Sequence, residues 1–298
     1  MSLREILGVD FNEPFVPSMD YIAKRNPTAK KPSSVWEIIH RGGYPEIQNP
    51  ELNWNTFYSS YVQTYLEKDV RQLTAVQDLN TFRRFMVACA ARTGQVLNYS
   101  NIAEEISKDE KTVRNWVSIL ETSGIVYLLE PYSSSVLNRA IKTPKLYFRD
   151  TGLAAYLTRW LTADTLANGA MRGAMFETWV ISGILKSYSN AGIDYKYCVS
   201  YYRGKDRKLK KKKKQPDGTV KEIETETESE IDFIIEKDGI LYPIEIKCAE
   251  KVTADGAAAF QILDKIPDKK RGTGAIICNC PQPGMLRDNL FAIPEWYI

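Results

Sequence analysis

Ile231-Asp232-Phe233-Ile234-Ile235, the turn Glu236-Lys237-Asp238-Gly239, and Ile240-Leu241-Tyr242-Pro243-Ile244-Glu245-Ile246-Lys247 read as two adjacent strands carrying an Asp, a Glu and a Lys. Side chains alternate across a strand, so Glu245 and Lys247 share one face while Ile244 and Ile246 fill the other. Asp232 is placed to meet them from the neighbouring strand. An Asp and a Glu converging there could hold a hard divalent cation through oxygen, Mg²⁺ or Mn²⁺, and the Lys could orient or help deprotonate an attacking water. That combination suits phosphodiester cleavage. The same pattern also describes any half-buried strand whose charges are solvated.

A third carboxylate lies upstream. In Gly173-Ala-Met-Phe-Glu-Thr-Trp-Val-Ile-Ser-Gly-Ile-Leu185, helical spacing puts Glu177 on the stripe of Gly173, Val180, Ile181 and Ile184. A carboxylate there is costly to bury unless a cation meets it. A metal site or the Lys247 ammonium would supply one, and a capping or ion-pair role is the structural alternative. Around these residues the pattern predicts a helix near 173–188, strands near 195–202, 231–236 and 240–247, a helix near 254–265 and a strand near 273–278. This order, with Glu177, Asp232, Glu245 and Lys247 in these places, resembles the PD-(D/E)xK nuclease superfamily over roughly the last 130 residues. Ile231 stands where that superfamily often has Pro. Gln261 lacks the Tyr four residues on that marks one subgroup, since Lys265 is there.

Between the first two of these strands lies a charged hairpin. Lysines from Lys208 to Lys214 lead to Gln215-Pro-Asp-Gly218, and Glu222, Glu224, Glu226, Glu228 and Glu230 follow at alternate positions. Pairing about the Pro-Asp-Gly turn sets Lys212 opposite Glu222, Lys210 opposite Glu224 and Lys208 opposite Glu226. A charge-paired ribbon is expected, with a disordered loop contacting DNA phosphates as the alternative.

The first half reads differently. Residues 1–50, with Pro14, Pro17, Pro27 and Pro32, predict an extended arm and a short helix before Gly42. Trp54, Phe57, Tyr58, Tyr61, Val62, Tyr65 and Leu66 fall on one helix face, and a second helix is expected near 82–92. Ser100 is placed to cap a third, and Ser107-Lys-Asp-Glu110 matches a capping box opening a fourth, with Val113, Trp116, Val117 and Leu120 inward. Gly124 ends it, and strands follow at 125–129 and 145–148. Helix, turn, helix, strand, strand is a winged helix. The candidate DNA contacts are Lys111, Arg114 and Asn115 on its second helix and Arg139, Lys142 and Lys145 near the wing. Winged helices also serve as protein–protein modules, and polar residues on a helix commonly form its solvated face.

The predicted fold class is therefore α/β, α+β overall: a helical winged-helix domain over 51–160, then a nuclease-like α/β core over 161–298 with the charged hairpin at 203–230. Composition sets bounds. A formal charge of +3 over 298 residues gives no global argument for nucleic acid. Five cysteines without paired C-x-x-C spacing, and no bilayer-length apolar run, lead us to expect reduced thiols, a cytoplasmic location and no membrane partner. The single histidine, His40, disfavours serine, cysteine and zinc hydrolase mechanisms, and its place at a helix end predicts a structural role in which a cationic imidazole suits the helix dipole. No G-x-x-x-x-G-K-[ST] loop is present, so ATP hydrolysis is not expected of this chain.

Several phrases act together: Arg41-Gly-Gly-Tyr-Pro-Glu46, Tyr61-Val-Gln-Thr-Tyr-Leu-Glu-Lys-Asp-Val-Arg71, Ala91-Arg-Thr-Gly94, Leu129-Glu-Pro-Tyr132, Lys142-Thr-Pro-Lys-Leu-Tyr-Phe-Arg-Asp-Thr-Gly-Leu153 and Ile244-Glu-Ile-Lys247. They are similar to the C-terminal region, a domain of unknown function, of prokaryotic AAA-type ATPases with an archaeal-ATPase-like N-terminal domain. The resemblance implies a winged helix joined to a nuclease-like fold, with an ATPase domain normally preceding it in the same polypeptide. Leu3–Gly8 through Phe15–Pro17 resembles that domain's closing segment, so a fragment or truncated relative is expected. Asp69, Arg71 and Asp150 belong to the matching phrases. Their positions predict structural roles, Asp150 as the cap of a helix holding Leu153 and Leu157.

Overall fold

The computed structural model describes residues 1–70, 78–133, 143–214 and 220–298, leaving aside the side chains of Glu67, Asp69 and residues 205–214 and 220–228. The helical part comes first: α1 (Leu3–Ile6), α2 (Met19–Arg25), α3 (Val35–Arg41), α4 (Trp54–Thr64), α5 (Leu79–Ala90), α6 (Tyr99–Ile106) and α7 (Glu110–Thr122). A small sheet accompanies them: β1 (Gln95–Val96), β2 (Val126–Leu129) and β3 (Lys145–Phe148), in the order β1-β3-β2 with both pairings antiparallel.

Two caps differ from those expected. Asn98, not Ser100, caps α6, accepting from Asn101 N–H. Asp109, not Ser107, caps α7, while Ser107 ends α6 in the left-handed region at φ 58°. With Ser107 closing one helix, the turn has room for only one more residue, Lys108, before the next cap. The Asx carboxylate and amide oxygens take the first-turn N–H groups in both cases.

Asp150 is the expected cap. Its Oδ1 accepts from Leu153 N–H at 2.8 Å and opens α8 (Thr151–Leu157). The same carboxylate accepts from Tyr58 Oη at 2.8 Å and from Gly43 N–H at 2.6 Å, tying three segments together. Gly42, at φ 85°, and Gly152 let the backbone pass close to Tyr58. A short helix, α9 (Ala163–Ala167), then leads to the long α10 (Arg172–Asn190).

The second part is a mixed sheet built from β4 (Val199–Lys214), β5 (Val220–Lys237), β6 (Ile240–Lys247), β7 (Lys270–Arg271), β8 (Gly274–Cys278), β9 (Gly284–Arg287) and β10 (Leu290–Pro294). Its order is β4-β5-β6-β8-β10-β9, with β7 beside β6. β6, β8 and β10 run parallel, and the outer pairings are antiparallel. Phe233, Ile235, Ile244, Ile246, Ala275 and Ile277 share a buried cluster with Phe176, Val180, Ile181 and Ile184 of α10. Ile234, Leu241 and Ile276 join Phe260 and Leu263 in a second cluster. Both faces being covered explains the nearly unbroken apolar run of the inner strands. The segment expected as a helix near 254–265 is a 3₁₀ helix, Ala254–Lys265, with non-helical φ/ψ at Ala257. β9 and β10 lie beyond the predicted strands. In the ribbon, Lys208, Lys210 and Lys212 stand in register with Glu226, Glu224 and Glu222, as the turn chemistry predicts, while residues 215–219 of the turn lie outside the described residues.

The first 50 residues are not an extended arm. Ser2, Ser18 and Ser34 cap α1, α2 and α3 in turn, and the segment packs against the far end of the chain. Arg25, fully buried, donates from Nε to Tyr297 O at 3.1 Å and from Nη2 to Trp296 O at 3.2 Å. Tyr21 Oη donates to the same Tyr297 carbonyl at 2.8 Å. Prolines restrict the local backbone, but the tertiary partners let short capped helices form between them. The buried cluster runs from Leu3 to Ile298, so the two halves share one core.

His40 has a structural place, but not as a cation. Its Nε2 lies 2.8 Å from Trp160 O, its ring stacks on Trp54 at 4.3 Å between centroids, and burial pushes its pKa down.

Candidate functional site

Alternation along β3 places Lys145 and Tyr147 on one side of the strand, and both reach Glu177 on α10. Tyr147 Oη donates to Glu177 Oε1 at 2.6 Å, and Lys145 Nζ lies 3.7 Å from the same oxygen. The cation that meets Glu177 is thus Lys145 of the small sheet, in place of the expected Lys247. Lys145 Nζ also pairs with Glu230 and stands 4.0 Å from Asp232 Oδ1. Its position, buried and ion-paired, corrects the expectation of a DNA contact.

Asp232 uses its other oxygen to accept from Ile246 N–H at 2.9 Å. That bond ties β5 to β6 next to their last paired residues, Phe233 and Ile244, and holds Asp232 beside Glu245 and Lys247. Lys247 Nζ donates to Glu245 Oε1 at 2.5 Å. Asp232 and Glu245 are buried, whereas the Lys247 side chain is 48 % exposed and presents the solvent side of the group. The alternation expected along 244–247 holds, since Ile244 and Ile246 lie in the main buried cluster.

Four carboxylates, those of Glu177, Glu230, Asp232 and Glu245, therefore face two ammonium groups. Burial, then the charge of Asp232, pushes Glu177 up to about 7 against the pull of Lys145 and Tyr147. The same two causes push Glu245 up to about 8, with Lys247 opposing them. Burial also raises Asp232, opposed by Lys145 and the Ile246 N–H. Burial works against both lysines as cations, but the surrounding carboxylates outweigh it and leave Lys145 and Lys247 raised. Fully ionised, four carboxylates would outnumber the two ammonium groups, and near neutral pH the protons kept by Glu177 and Glu245 relieve that excess.

Among the described residues, no set of three or more His, Cys, Asp or Glu side chains is arranged to hold a metal ion. Asp232 and Glu245 form the expected pair. Mg²⁺ keeps most of its waters and is commonly held by one or two carboxylates, so this pair, once it gives up its proton, suits it.

Of the remaining DNA candidates, Lys111 and Asn115 are exposed on α7. Arg114 is exposed too, but its Nε donates to Glu110 Oε1 at 3.0 Å and its guanidinium lies 3.9 Å from the centre of the Tyr99 ring. Arg139, Lys142 and Arg71 lie outside the described residues, as does the side chain of Asp69. Sequence reading missed Tyr147 and the part played by Lys145. Their spacing of two in Lys145-Leu-Tyr-Phe148 signals a shared face, and nothing local names Glu177 as the partner.

No solved structure matches the chain. Two uncharacterized proteins are similar to it, Rv2008c of Mycobacterium tuberculosis and Mb2031c of Mycobacterium bovis. Each is 30 % identical over 146 residues, 47 % of this chain and 32 % of the relative. The matched stretch spans about a third of the length of these curated relatives. No helix among the described residues is long and apolar enough to cross a membrane. Residues 33–164 match a domain of unknown function (DUF8612), and residues 172–297 match a second (DUF4143), typically a C-terminal region of AAA-ATPase-like proteins.

Proposed function

We propose that the chain is a DNA-binding module whose second half is a Mg²⁺-dependent, endonuclease-like phosphodiesterase, working in the context of an AAA-type ATPase. The observation that carries this reading is the cluster itself: Asp232 locked by Ile246 N–H beside Glu245 and Lys247, an Asp–Glu pair with a half-exposed ammonium at its edge. Asp232 and Glu245 would hold the divalent cation, which supplies Lewis acidity toward a phosphoryl oxygen. Lys247, raised and half exposed, stays an ammonium, so it orients an incoming water and meets developing negative charge rather than removing a proton. Glu177, held by Tyr147 and Lys145, supports the site from behind.

The order α5-β1-α6-α7-β2-β3, with β3 between β1 and β2, supports a winged-helix reading of the first half. Lys111 and Asn115 on α7 then face solvent where a recognition helix would meet a groove. One observation favours a second reading, a non-catalytic regulatory module beside an ATPase. Lys145 already pairs with Glu177, Glu230 and Asp232, and a cluster neutralised from within has less call on a metal.

The test is cleavage of supercoiled plasmid and single-stranded DNA with Mg²⁺ or Mn²⁺, comparing wild type with Asp232→Asn and Lys247→Ala. Nicking by wild type and silence in both variants is the expected result. Equal inertness of all three, with DNA still bound and no Mn²⁺ taken up, would favour the regulatory module.

A further inference from the structure

A cleft of about 1000 Å³ lies in the helical half, and none of the residues that line it belongs to the carboxylate cluster. Among the described residues its walls come from α4, α5, the ends of α6 and α8, and the turn after α8. Tyr156, Trp160 and Met171 line it together with Arg83, Arg84 and Arg159, and no lysine does. Aromatic residues, Met and Arg are the types enriched in protein–protein interfaces, and Lys and Glu are depleted there. Two of the exposed large apolar residues, Val87 at 37 % and Leu161 at 64 %, stand on this one cleft.

Its charge is one-sided. The lining carboxylate, Glu105, is already paired with Arg92 at 2.6 Å. Arg84 donates to Ile106 O at 2.9 Å. Arg83 and Arg159 have no ion-pair or hydrogen-bonding partner for their guanidinium groups among the described residues. Arg159 also holds φ 62°, just past the end of α8, where Trp160 N–H closes back to Ala155 O. Glycine is the residue that position favours, so the backbone there bears strain to carry a guanidinium.

We propose that this cleft docks an acidic, apolar-faced helical segment of a partner protein. Helices and their ends form the walls, so strand addition has no free edge to use. Two turns of helix, roughly 11 Å long and 10 Å across, occupy on the order of 900 Å³. Apolar side chains at helical spacing would cover Val87 and Leu161, and acidic ones would meet Arg83 and Arg159. A DNA phosphate backbone would use the arginines but leave the apolar wall uncovered.

The test selects 16-residue peptides displayed on phage against the full chain, then measures the best as fluorescein-labelled peptides by anisotropy. Acidic peptides with apolar residues at i, i+3, i+4 and i+7 are expected. Arg159→Gly should weaken them at least tenfold while leaving the melting temperature unchanged or raised, because glycine relieves the strained backbone. Arg83→Ala and Val87→Glu should weaken them as well. The proposal is overturned if no peptide is enriched, if the enriched peptides are basic, or if binding survives Arg83→Ala and Arg159→Gly. Competition by a DNA duplex equal to that of unlabelled peptide would also overturn it, making the cleft a phosphate site.

Discussion

Replacing Lys145 with Met should unfold more of this protein than its small change in volume suggests. The ammonium lies 3.7 Å from Glu177 and 4.0 Å from Asp232, and pairs with Glu230. At an effective dielectric near 20, each contact of that length is worth about 4 kcal/mol before desolvation is counted. Desolvation of the ammonium offsets much of this, but removing one partner strands the others, at about 3–5 kcal/mol. The pH dependence has a definite sign. Glu177 is pushed up to about 7 from 4.5, so the folded chain holds a proton that the unfolded chain releases. That effect costs nothing below about pH 4.5, grows as pH rises, and is complete above about pH 7, where it amounts to about 3 kcal/mol. Without Lys145 the carboxylates resist ionisation further. Lys145→Met should therefore lose more stability at pH 8 than at pH 5.5, and Glu177→Gln in the same chain should restore part of the loss. Urea unfolding followed by tryptophan fluorescence at the two pH values measures both. A loss below about 1 kcal/mol at both, or a larger loss at pH 5.5, would refute the role given to Lys145.

Other substitutions probe the frame around the site. Asp150→Ala removes a helix cap and leaves Gly43 N–H short of an acceptor and Tyr58 Oη with the Arg41 carbonyl, so calorimetry should show a loss of about 2–4 kcal/mol. Gly152→Ala would put a methyl group 2.7 Å from Arg41 O and against Tyr58 Oη, and should lower stability by about 1–3 kcal/mol or more in the same measurement. Glu295 is buried with Oε2 unpartnered among the described residues and is pushed up to about 7, chiefly by burial. Its ionisation costs stability as pH rises through that value, so Glu295→Gln should gain about 1–3 kcal/mol at pH 8 and little at pH 5, read from urea midpoints.

What the sequence determined by itself is what short-range rules control. The alternation of Ile244 and Ile246 against Glu245 and Lys247, the ribbon register about Pro216-Asp217-Gly218, and the cap at Asp150 depend on neighbours a few residues away, and the structure has them as read. The caps at Asn98 and Asp109 were locally ambiguous, because Ser100 and Ser107 offered competing oxygens two residues off. Tertiary structure alone decided the rest. Lys145 is one more basic residue in sequence until β3 packs on α10 and turns it toward carboxylates from two other elements. Tyr147 finds Glu177 thirty residues away, and Arg25 finds the carbonyl of Tyr297 across almost the whole chain. Burying an ion or a carbonyl carries a cost that only a distant partner offsets, so such pairings follow from the packed fold and not from any local preference.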